Sequence, residues 1–449
     1  MTPYPPASAL ELNSLEPFTG DDRVLILAPH PDDESIACAG VIQQAKKAGA
    51  DVHVIYLTNG DHNEFAFIVY EKRITFRKGE FIHMGEIRRK EAIRAMKLFG
   101  LKEADLTFLG YPDFGTFKIF SEYWQTNRPY WSMLTRIAYV PYKGNLSYGA
   151  PYVGQSVLND LKNVLLKFKP NKIFVSHPAD TNPDHRSLYL FLQIALQDLD
   201  KNTISRPHVY PYLVHCVKWP LPRRFHPQLN LAPPKNFLNG DVGWQKLELS
   251  KEEVELKRKA TLCYPSQTQS SAFYLLSFSR RNELFGDYTQ VELARQSSLK
   301  EKGVSFFGFS KIYPDLEFDS LNNNGDFGKT IGRVGYAVLD DVLLIRVEKE
   351  NEIKQKLNLL VFLFGYKDNT PFAAMPKTRL IIKNNKVMVF NGKKPIKVHG
   401  VSLETRPDLL IIKCPLQELG NPDFILTSVK SYSGVVPVEA SGFRKIIIE

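Results

Sequence analysis

Hydrophobic residues in the first 200 positions follow two alternating patterns. Residues 23–29 and 172–176 are continuous apolar runs, typical of strands that are buried on both faces of a parallel sheet. Residues 51–57 resemble another strand. Amphipathic helical patterns occupy residues 35–49, 84–100, 158–168 and 186–197. The alternation predicts a three-layer, Rossmann-like α/β fold with a mostly parallel sheet and a ligand site beyond the carboxyl ends of its strands.

The pattern changes after about residue 300, where short β-rich runs are separated by Asn, Gly, Asp and Pro. These runs lie at residues 342–347, 357–364, 378–382, 386–390, 409–412, 424–429 and 444–448. Their spacing predicts a C-terminal antiparallel β-sandwich, with residues 321–328 as a linker or long turn. We therefore predict an N-terminal extension (1–20), an α/β domain (21–299) and a β-rich domain (300–449).

The composition is that of a globular protein. The chain has 449 residues, of which 43% are hydrophobic and 24% charged, so two domains are the expected organisation. No run approaches the roughly 18 apolar residues that span a bilayer, and the N-terminus lacks the basic start and apolar centre of a signal peptide. These features predict a soluble, cytoplasmic protein without a transmembrane segment.

Cysteines and net charge add little to the functional picture. The four cysteines are scattered singly, which argues against a disulfide framework and against a four-thiolate zinc site. The net charge of +10 is compatible with an anionic partner, but the lysines are spread along the chain rather than clustered. We therefore expect no nucleic-acid partner, and the oligomeric state is left open.

Candidate catalytic side chains follow the first buried strand. His30-Pro31-Asp32-Asp33-Glu34 stands where a loop enters the next helix. His30 and Asp33, three residues apart, can face one point, while Asp32 is available as a base. A catalytic zinc site typically has three protein ligands and an open position for water. The sequence therefore calls for a third ligand, and Asn182-Pro183-Asp184-His185-Arg186, after another buried strand, offers one.

Each of these clusters also has a purely structural interpretation. A His-Pro turn is often a plain loop, and Asp184 has the position of a helix N-cap. Two acidic-histidine clusters at the ends of parallel strands favour a site over two unrelated loops. His62 and His83 are expected to be surface residues or to lie behind the site.

In these motifs the sequence resembles the PIG-L, or LmbE-like, N-acetylglucosaminyl deacetylases. The resemblance rests on a small set of motifs in a fixed order. They are Ala28 to Glu34 (APHPDDE), Arg88-x-x-Glu91, Leu109-Gly110-Tyr111-Pro112-Asp113-x-Gly115, Pro183 to Arg186 (PDHR), and Lys257 through Tyr264-Pro265-Ser266-Gln267. The resemblance spans roughly residues 20 to 290.

The resemblance implies a role for each matching residue. His30, Asp33 and His185 would bind Zn²⁺, Asp32 would be the general base, and Arg88 and Asp113 would touch the substrate. Many members have a histidine before the Pro-Asp-His, where it stabilises the tetrahedral intermediate.

This sequence has Asn182 at that position, and an asparagine amide can donate a hydrogen bond but supplies neither charge nor proton. His177, at the end of the same strand, is the alternative for this role.

The sequence thus predicts a zinc-dependent hydrolase that removes the acetyl group from an N-acetylated sugar or glycoconjugate. The alternatives are a zinc amidase acting on a larger acyl conjugate and a non-catalytic carbohydrate-binding protein. Residues 114–152 are expected to be a long, aromatic-rich loop that forms part of the pocket wall or a lid. The C-terminal region faintly resembles β-sandwich modules of carbohydrate-active proteins. Its Tyr336, Phe364 and Tyr366 are expected to pack in the core rather than stack on sugar rings.

Overall fold

A computed structural model describes most of the chain. The described residues are 12–62, 64–72, 77–125, 127–199, 205–237, 242–296, 319–320, 331–349, 357–433 and 436–449. The linker predicted at residues 321–328 lies outside them. The chain divides into two compact units, Met1–Pro234 with Gly243–Asp287, and Lys235–Val242 with Tyr288–Glu449.

The first unit contains eight strands and nine α-helices among its described residues. The strands are β1 (Asn13–Ser14), β2 (Arg23–Ala28), β3 (Asp51–Thr58), β4 (Leu106–Tyr111), β5 (Lys172–Ser176), β6 (His208–Tyr212), β7 (Val242–Glu248) and β8 (Asn282–Tyr288). The helices are α1 (Asp33–Ala37), α2 (Ala39–Lys47), α3 (Glu64–Glu71), α4 (Lys78–Leu98), α5 (Thr116–Glu122), α6 (Gly154–Phe168), α7 (Pro183–Asp198), α8 (Lys251–Thr261) and α9 (Pro265–Leu275).

These strands form one mostly parallel sheet. Among the described residues its order is β1-β7-β8-β6-β5-β2-β3-β4, in which the five strands from β6 to β4 are mutually parallel. From β2 the chain runs outward through β3 to β4 and then returns to β5 and β6 on the other side. The order therefore reverses between β2 and β5, and ligands of open α/β sheets bind at this kind of switch point.

The sequence pattern of the two central strands has a direct structural cause. β5 is buried along its whole length and β2 from its second residue onward, so neither strand has a solvated face that would impose alternation. The helices form two groups with internal contacts: α5 and α6 both pack on α7, while α2 and α4 both pack on α8. The predicted three-layer α/β fold is confirmed.

One helix prediction and one loop prediction need correction. Residues 35–49 form not one helix but two, because the chain breaks at Cys38, which has φ −129° and ψ 15°. Residues 114–152 are not all loop, since α5 occupies Thr116–Glu122 and packs on α7.

The second unit is built mostly from antiparallel strands, with parallel pairing of β10 with β12 and of β9 with β22. They are β9 (Val291–Leu293), β10 (Arg295–Gln296), β11 (Asp319–Ser320), β12 (Ile331–Leu339), β13 (Val342–Lys349), β14 (Leu357–Tyr366), β15 (Lys377–Lys383), β16 (Lys386–Asn391), β17 (Lys394–Ile396), β18 (Ser402–Thr405), β19 (Leu409–Pro415), β20 (Phe424–Ser433), β21 (Val436–Ala440) and β22 (Arg444–Ile448).

The strands of the second unit form two sheets that share one core. Among the described residues, one sheet has the order β10-β12-β13-β19-β18, and the other is built around β21-β20-β14-β15-β16-β17. Side chains of both sheets, such as Ile345 and Val361, belong to a single buried cluster. Tyr336, Phe364 and Tyr366 are no more than 3% exposed, so the expectation that they pack in the core is confirmed. The division predicted at residue 300 stays a proposal.

Candidate active site

Two loops bring the predicted residues together at the switch point of the sheet. One loop follows β2 and carries His30, Asp32 and Asp33 into α1. The other follows β5 and leads to α7, where His185 lies in the first turn. Because β2 and β5 are parallel neighbours, their carboxyl ends meet at one edge of the sheet. The two motifs, which are far apart in the sequence, therefore lie close together in space.

His30, Asp33 and His185 form a compact buried cluster. Oδ2 of Asp33 lies 3.2 Å from Nδ1 of His30 and 3.2 Å from Nε2 of His185. One ligand atom from each residue falls within 4.8 Å of the others. Neither ring nitrogen of His185 has a hydrogen-bond partner of good geometry among the described residues. Two imidazoles and a carboxylate are a donor set typical of catalytic zinc sites, so the residues fit a metal ion.

The charges in this cluster shift its pKa values strongly. Burial raises the pKa of Asp33, but the neighbouring His185 and His30 outweigh it and hold that pKa well below its usual range. Burial lowers the pKa of His185, but Asp180 and Asp33 outweigh it and raise the pKa to about 9. The cluster thus contains an ionised carboxylate, and its negative charge favours a positive charge at the neighbouring imidazoles.

Asp180 was not found by sequence reasoning. Its Oδ2 lies 3.1 Å from Nδ1 of His185, on the side of the ring opposite to Asp33, and it also accepts hydrogen bonds from the backbone N–H groups of Val214 and His215. A carboxylate in this position orients a ligating histidine and raises its basicity.

Asp32 lines the cavity beside the cluster without belonging to it. Burial raises the pKa of Asp32 to about 8. The Arg88 guanidinium at 3.4 Å opposes this shift, whereas the negative charge of Asp33 adds to it. A carboxyl group with a pKa near neutrality suits proton transfer.

Arg88 connects the first loop with the end of β3. Its guanidinium donates to the carbonyl oxygens of Pro31 at 2.7 Å and Gly60 at 3.1 Å. Gly60 has φ +69°, and a Cβ there would lie 1.9 Å from Nη1 of Arg88, so only glycine allows this approach. Arg88 also lines the cavity, where the predicted substrate contact would occur.

Two further carboxylates face the other nitrogen of His30. Oδ1 of Asp113 lies 3.0 Å from Nε2 of His30, and Oδ2 of Asp184 lies 3.2 Å from the same atom. Burial raises the pKa of Asp113, but His30 and Arg88 outweigh it and lower that pKa. Asp184 is not the helix cap that the sequence allowed. It accepts hydrogen bonds from the backbone N–H groups of Phe114, at 2.6 Å, and Thr116, at 3.1 Å.

The N-cap of α7 is Asn182. Its side-chain oxygen accepts a hydrogen bond from the Asp184 backbone N–H at 2.8 Å, as expected of an N-cap. Asn182 also lines the cavity, and its amide NH₂ group is the part of the side chain that can donate a hydrogen bond there.

His177 and His215 have different surroundings. His177 is fully buried, stacks on Trp244 with 5.8 Å between ring centroids, and accepts a hydrogen bond from the Ala179 N–H. It is not among the described residues that line the cavity. His215 does line it, with its ring 4.7 Å from that of His185. Burial lowers the pKa of His215 to about 4. The catalytic role predicted for His177 stays a prediction.

His215 could have been found by the rule that selected the other residues, because it follows β6, the next parallel strand after β5. The hydrophobic pattern does not predict that strand, because its sequence, HVYPY, contains Pro211 and mixes polar with apolar residues, unlike a typical buried strand.

The cavity has a volume of about 420 Å³. Charged, polar and apolar side chains together line its wall. The lining residues are His30, Asp32, Asp33, Ile36, His62, Arg88, Asp113, Phe114, Asn182, His215, Gln267, Ser271, Tyr274 and Leu275. His62 thus contributes to the cavity, whereas His83 is exposed. Of residues 114–152, predicted as wall or lid, Phe114 lines the cavity.

Comparisons with known proteins give one family match and several structural likenesses. The sequence model of the PIG-L family, described as GlcNAc-PI de-N-acetylase, matches residues 25–196. No curated protein matches the chain. The N,N'-diacetylchitobiose deacetylase of Pyrococcus horikoshii is 18% identical, with a TM-score of 0.34, and the match covers 58% of this chain and 82% of that one.

Two further solved structures are similar at a comparable level. A conserved protein of Thermus thermophilus is 20% identical, with a TM-score of 0.32, and the match covers 55% of this chain and 79% of that one. A deacetylase of the teicoplanin biosynthesis pathway is 16% identical, with a TM-score of 0.38, and the match covers 59% and 97%.

Proposed function

We propose that the chain, whose residues 25–196 are a PIG-L domain, is a zinc-dependent hydrolase that removes the acetyl group from an N-acetylated sugar or glycoconjugate. The observation that carries the proposal is the buried cluster of His30, Asp33 and His185 with Asp32 beside it in the cavity. A cavity of about 420 Å³ lies within the size range of small-molecule sites.

A bound metal would supply one part of the chemistry. His30, Asp33 and His185 would hold a divalent ion, which would lower the pKa of a water molecule toward neutrality and polarise a carbonyl oxygen. Asp180 keeps the His185 ring in the orientation that this binding requires, because it faces the nitrogen that Asp33 does not.

Asp32 transfers the protons of the reaction. Its carboxylate accepts a proton from the attacking water, which adds to the amide carbon of the substrate. When the carbon–nitrogen bond breaks, the same group returns that proton to the departing amine, so the products are acetate and the free amino sugar. Arg88, at 3.4 Å, holds Asp32 in place.

The substrate oxyanion needs hydrogen-bond donors in the cavity wall. Asn182 and His215 both line the cavity, and an amide NH₂ or a neutral imidazole N–H can each donate to an oxyanion. Arg88 and Asp113 are suited to sugar hydroxyl groups, because one donates and the other accepts hydrogen bonds.

The test combines metal analysis with product analysis on the full chain. Metal content is measured by mass spectrometry, and acetate release is measured from N-acetylglucosamine and from its nucleotide-linked, lipid-linked and oligomeric forms. His185→Ala should abolish both stoichiometric zinc and acetate release. His83→Ala is the matched control, since its side chain is 58% exposed, and it should retain both.

Three results would contradict parts of the proposal. A full equivalent of zinc in His185→Ala, at unchanged affinity, would refute the ligand assignment. Release of longer acyl groups without acetate release would favour an amidase acting on a larger conjugate. Sugar binding by the zinc-loaded protein without any hydrolysis would favour a carbohydrate-binding protein.

A further inference from the structure

Residues 130–152, which we name the strap, form a separate feature beside the cavity. The strap folds back on itself through backbone hydrogen bonds, from Tyr130 N–H to Tyr152 C=O at 2.9 Å and from Val140 N–H to Ala150 C=O at 3.0 Å. It is therefore an ordered piece of backbone, although most of it lies outside regular helices and strands.

The inner face of the strap is fastened to the α/β unit by side-chain hydrogen bonds. The Tyr142 hydroxyl donates to Asp61 at 2.7 Å, and the Asn145 amide donates to the Asn59 oxygen at 2.9 Å. Asp61 in turn accepts a hydrogen bond from the backbone N–H of the cavity residue Asp113. The strap is thus held close to the candidate active site.

The strap also exposes several large apolar side chains. Twelve such side chains are exposed among the described residues, and five lie within this one short segment. They are Trp131 (60%), Met133 (73%), Tyr139 (53%), Leu146 (57%) and Tyr148 (54%). Scattered exposed apolar residues need no explanation, but a concentration of this kind marks an interaction surface.

The strap and the residues that flank it carry charge of a single sign. No aspartate or glutamate occurs between Glu122 and Asp160, whereas Arg128, Arg136 and Lys143 are all exposed. A self-complementary contact with a second copy would bring these cations against one another, which disfavours a dimer through this face. The complementary partner is anionic and has an apolar interior.

We propose that the strap docks the protein on the headgroup region of an anionic membrane. Tryptophan and tyrosine side chains prefer the boundary between headgroups and acyl chains, whereas methionine and leucine side chains insert among the acyl chains. Arg136 and Lys143 attract anionic headgroups, each by an amount that corresponds to about fivefold in affinity. Docking would place the neighbouring cavity close to the lipid surface, independently of the hydrolysis proposed above.

The test is co-sedimentation of the full chain with phosphatidylcholine vesicles that either contain or lack phosphatidylserine. The wild-type protein should bind the anionic vesicles, and added salt should weaken that binding. Trp131→Ser with Met133→Ser should reduce affinity at least about tenfold. Arg136→Gln with Lys143→Gln should remove most of the preference for phosphatidylserine.

A matched control keeps the test specific. Leu98→Ser with Met388→Ser removes two apolar side chains that are 42% and 44% exposed outside the strap, and it should bind like the wild type. Circular dichroism checks that every variant is folded. The proposal is overturned if the wild-type protein does not bind anionic vesicles, if the strap variants bind them with unchanged affinity, or if the control variant loses as much affinity as the strap variants. If the wild-type protein does not bind vesicles but forms a dimer, and Trp131→Ser with Met133→Ser dissociates that dimer, the strap contacts a second copy of the chain instead.

Discussion

Asp32 has an unusual backbone. Its φ of 126° and ψ of −27° lie in a region that residues with a Cβ rarely adopt, and such conformations cost of order 1–3 kcal/mol. Surrounding contacts hold it there: the Asp32 N–H donates to Glu34 at 3.1 Å, and Glu34 also accepts a hydrogen bond from the Tyr264 hydroxyl. Strain of this kind persists mainly at functional sites, where it fixes a side chain in one direction.

Asp32→Asn tests the role of the side chain separately from that of the metal. The amide keeps the size of the carboxyl group but accepts no proton, so acetate release at saturating substrate should fall at least about a hundredfold. Zinc content and substrate binding should stay close to wild type, because Asp32 is outside the ligand cluster.

The control for this variant is Asp51→Asn, whose side chain is 67% exposed in a surface ion pair and which should be fully active. Zinc must be measured on the same preparation, since loss of metal would imitate loss of the base. Near-normal turnover with normal zinc would exclude Asp32 and turn attention to Glu34 or His177.

At the scale of elements, a buried ion pair joins three segments of the first unit. Nζ of Lys257 in α8 lies 2.8 Å from Glu283 in β8, and both side chains are 1% exposed. The Glu283 carboxylate also accepts hydrogen bonds from the backbone N–H groups of Gly40 and Val41 in the first turn of α2. Since α2 follows the loop that carries His30 and Asp33, this pair supports the site from a distance.

Lys257→Met should therefore destabilise the protein strongly. It leaves the Glu283 carboxylate buried without its cation, which typically costs about 3–5 kcal/mol in the free energy of unfolding. Urea denaturation measures the change, and the double variant Lys257→Met with Glu283→Gln should recover part of it.

An exposed pair provides the comparison. Lys246 and Glu248 are 2.6 Å apart with side chains 31% and 49% exposed, and Lys246→Met should cost less than about 1 kcal/mol. Equal losses from the two lysine variants would mean that burial does not set the strength of the Lys257 pair.

At the scale of the whole molecule, the chain consists of two units with different architectures and separate cores. None of the helices among the described residues is long and apolar enough to cross a membrane. The second unit contains a buried lysine: Lys377 is 4% exposed and donates to the carbonyl oxygens of Phe372 and Met375. Burial lowers the pKa of Lys377 from 10.5 to about 7.

This lysine should make the second unit more stable at alkaline pH. Between about pH 7 and pH 10.5 the unfolded chain keeps a proton on Lys377 that the folded unit has released, so the free energy of unfolding rises with pH. Below about pH 7 both states are protonated, so the free energy of unfolding no longer changes with pH and the cost of burying the charged lysine is at its largest. Lys377→Met should therefore flatten the pH profile, by up to a few kcal/mol across this window.

Unfolding of the full chain at several pH values measures this effect. Lys383→Met, at an exposed position of the same strand, should leave the profile unchanged. If the two units unfold independently, as the proposed domain division implies, only one of two transitions should respond to Lys377→Met. A single transition in which all signals shift together would contradict that division.

The sequence by itself determined the central strands and the two motifs that follow them. Strands buried on both faces must be apolar throughout, so residues 23–29 and 172–176 were recognisable without any structure. His30, Asp33 and His185 could be predicted to lie together because the ends of parallel strands share one edge of the sheet. These inferences depend only on local pattern and on one general property of parallel sheets.

Only the tertiary structure determined which other groups surround that cluster. His215 contacts His185 because β6 pairs with β5, and the backbone N–H groups of Val214 and His215, which follow β6, hold the Asp180 carboxylate beside His185. The chemistry of Asp184 depends on the loop at Phe114 rather than on its own helix. The strap is likewise defined by contacts of Tyr142 and Asn145 with residues more than 80 positions away. Contacts of this kind depend on the order of strands in the sheet and on long-range packing, and no local pattern in the sequence records either.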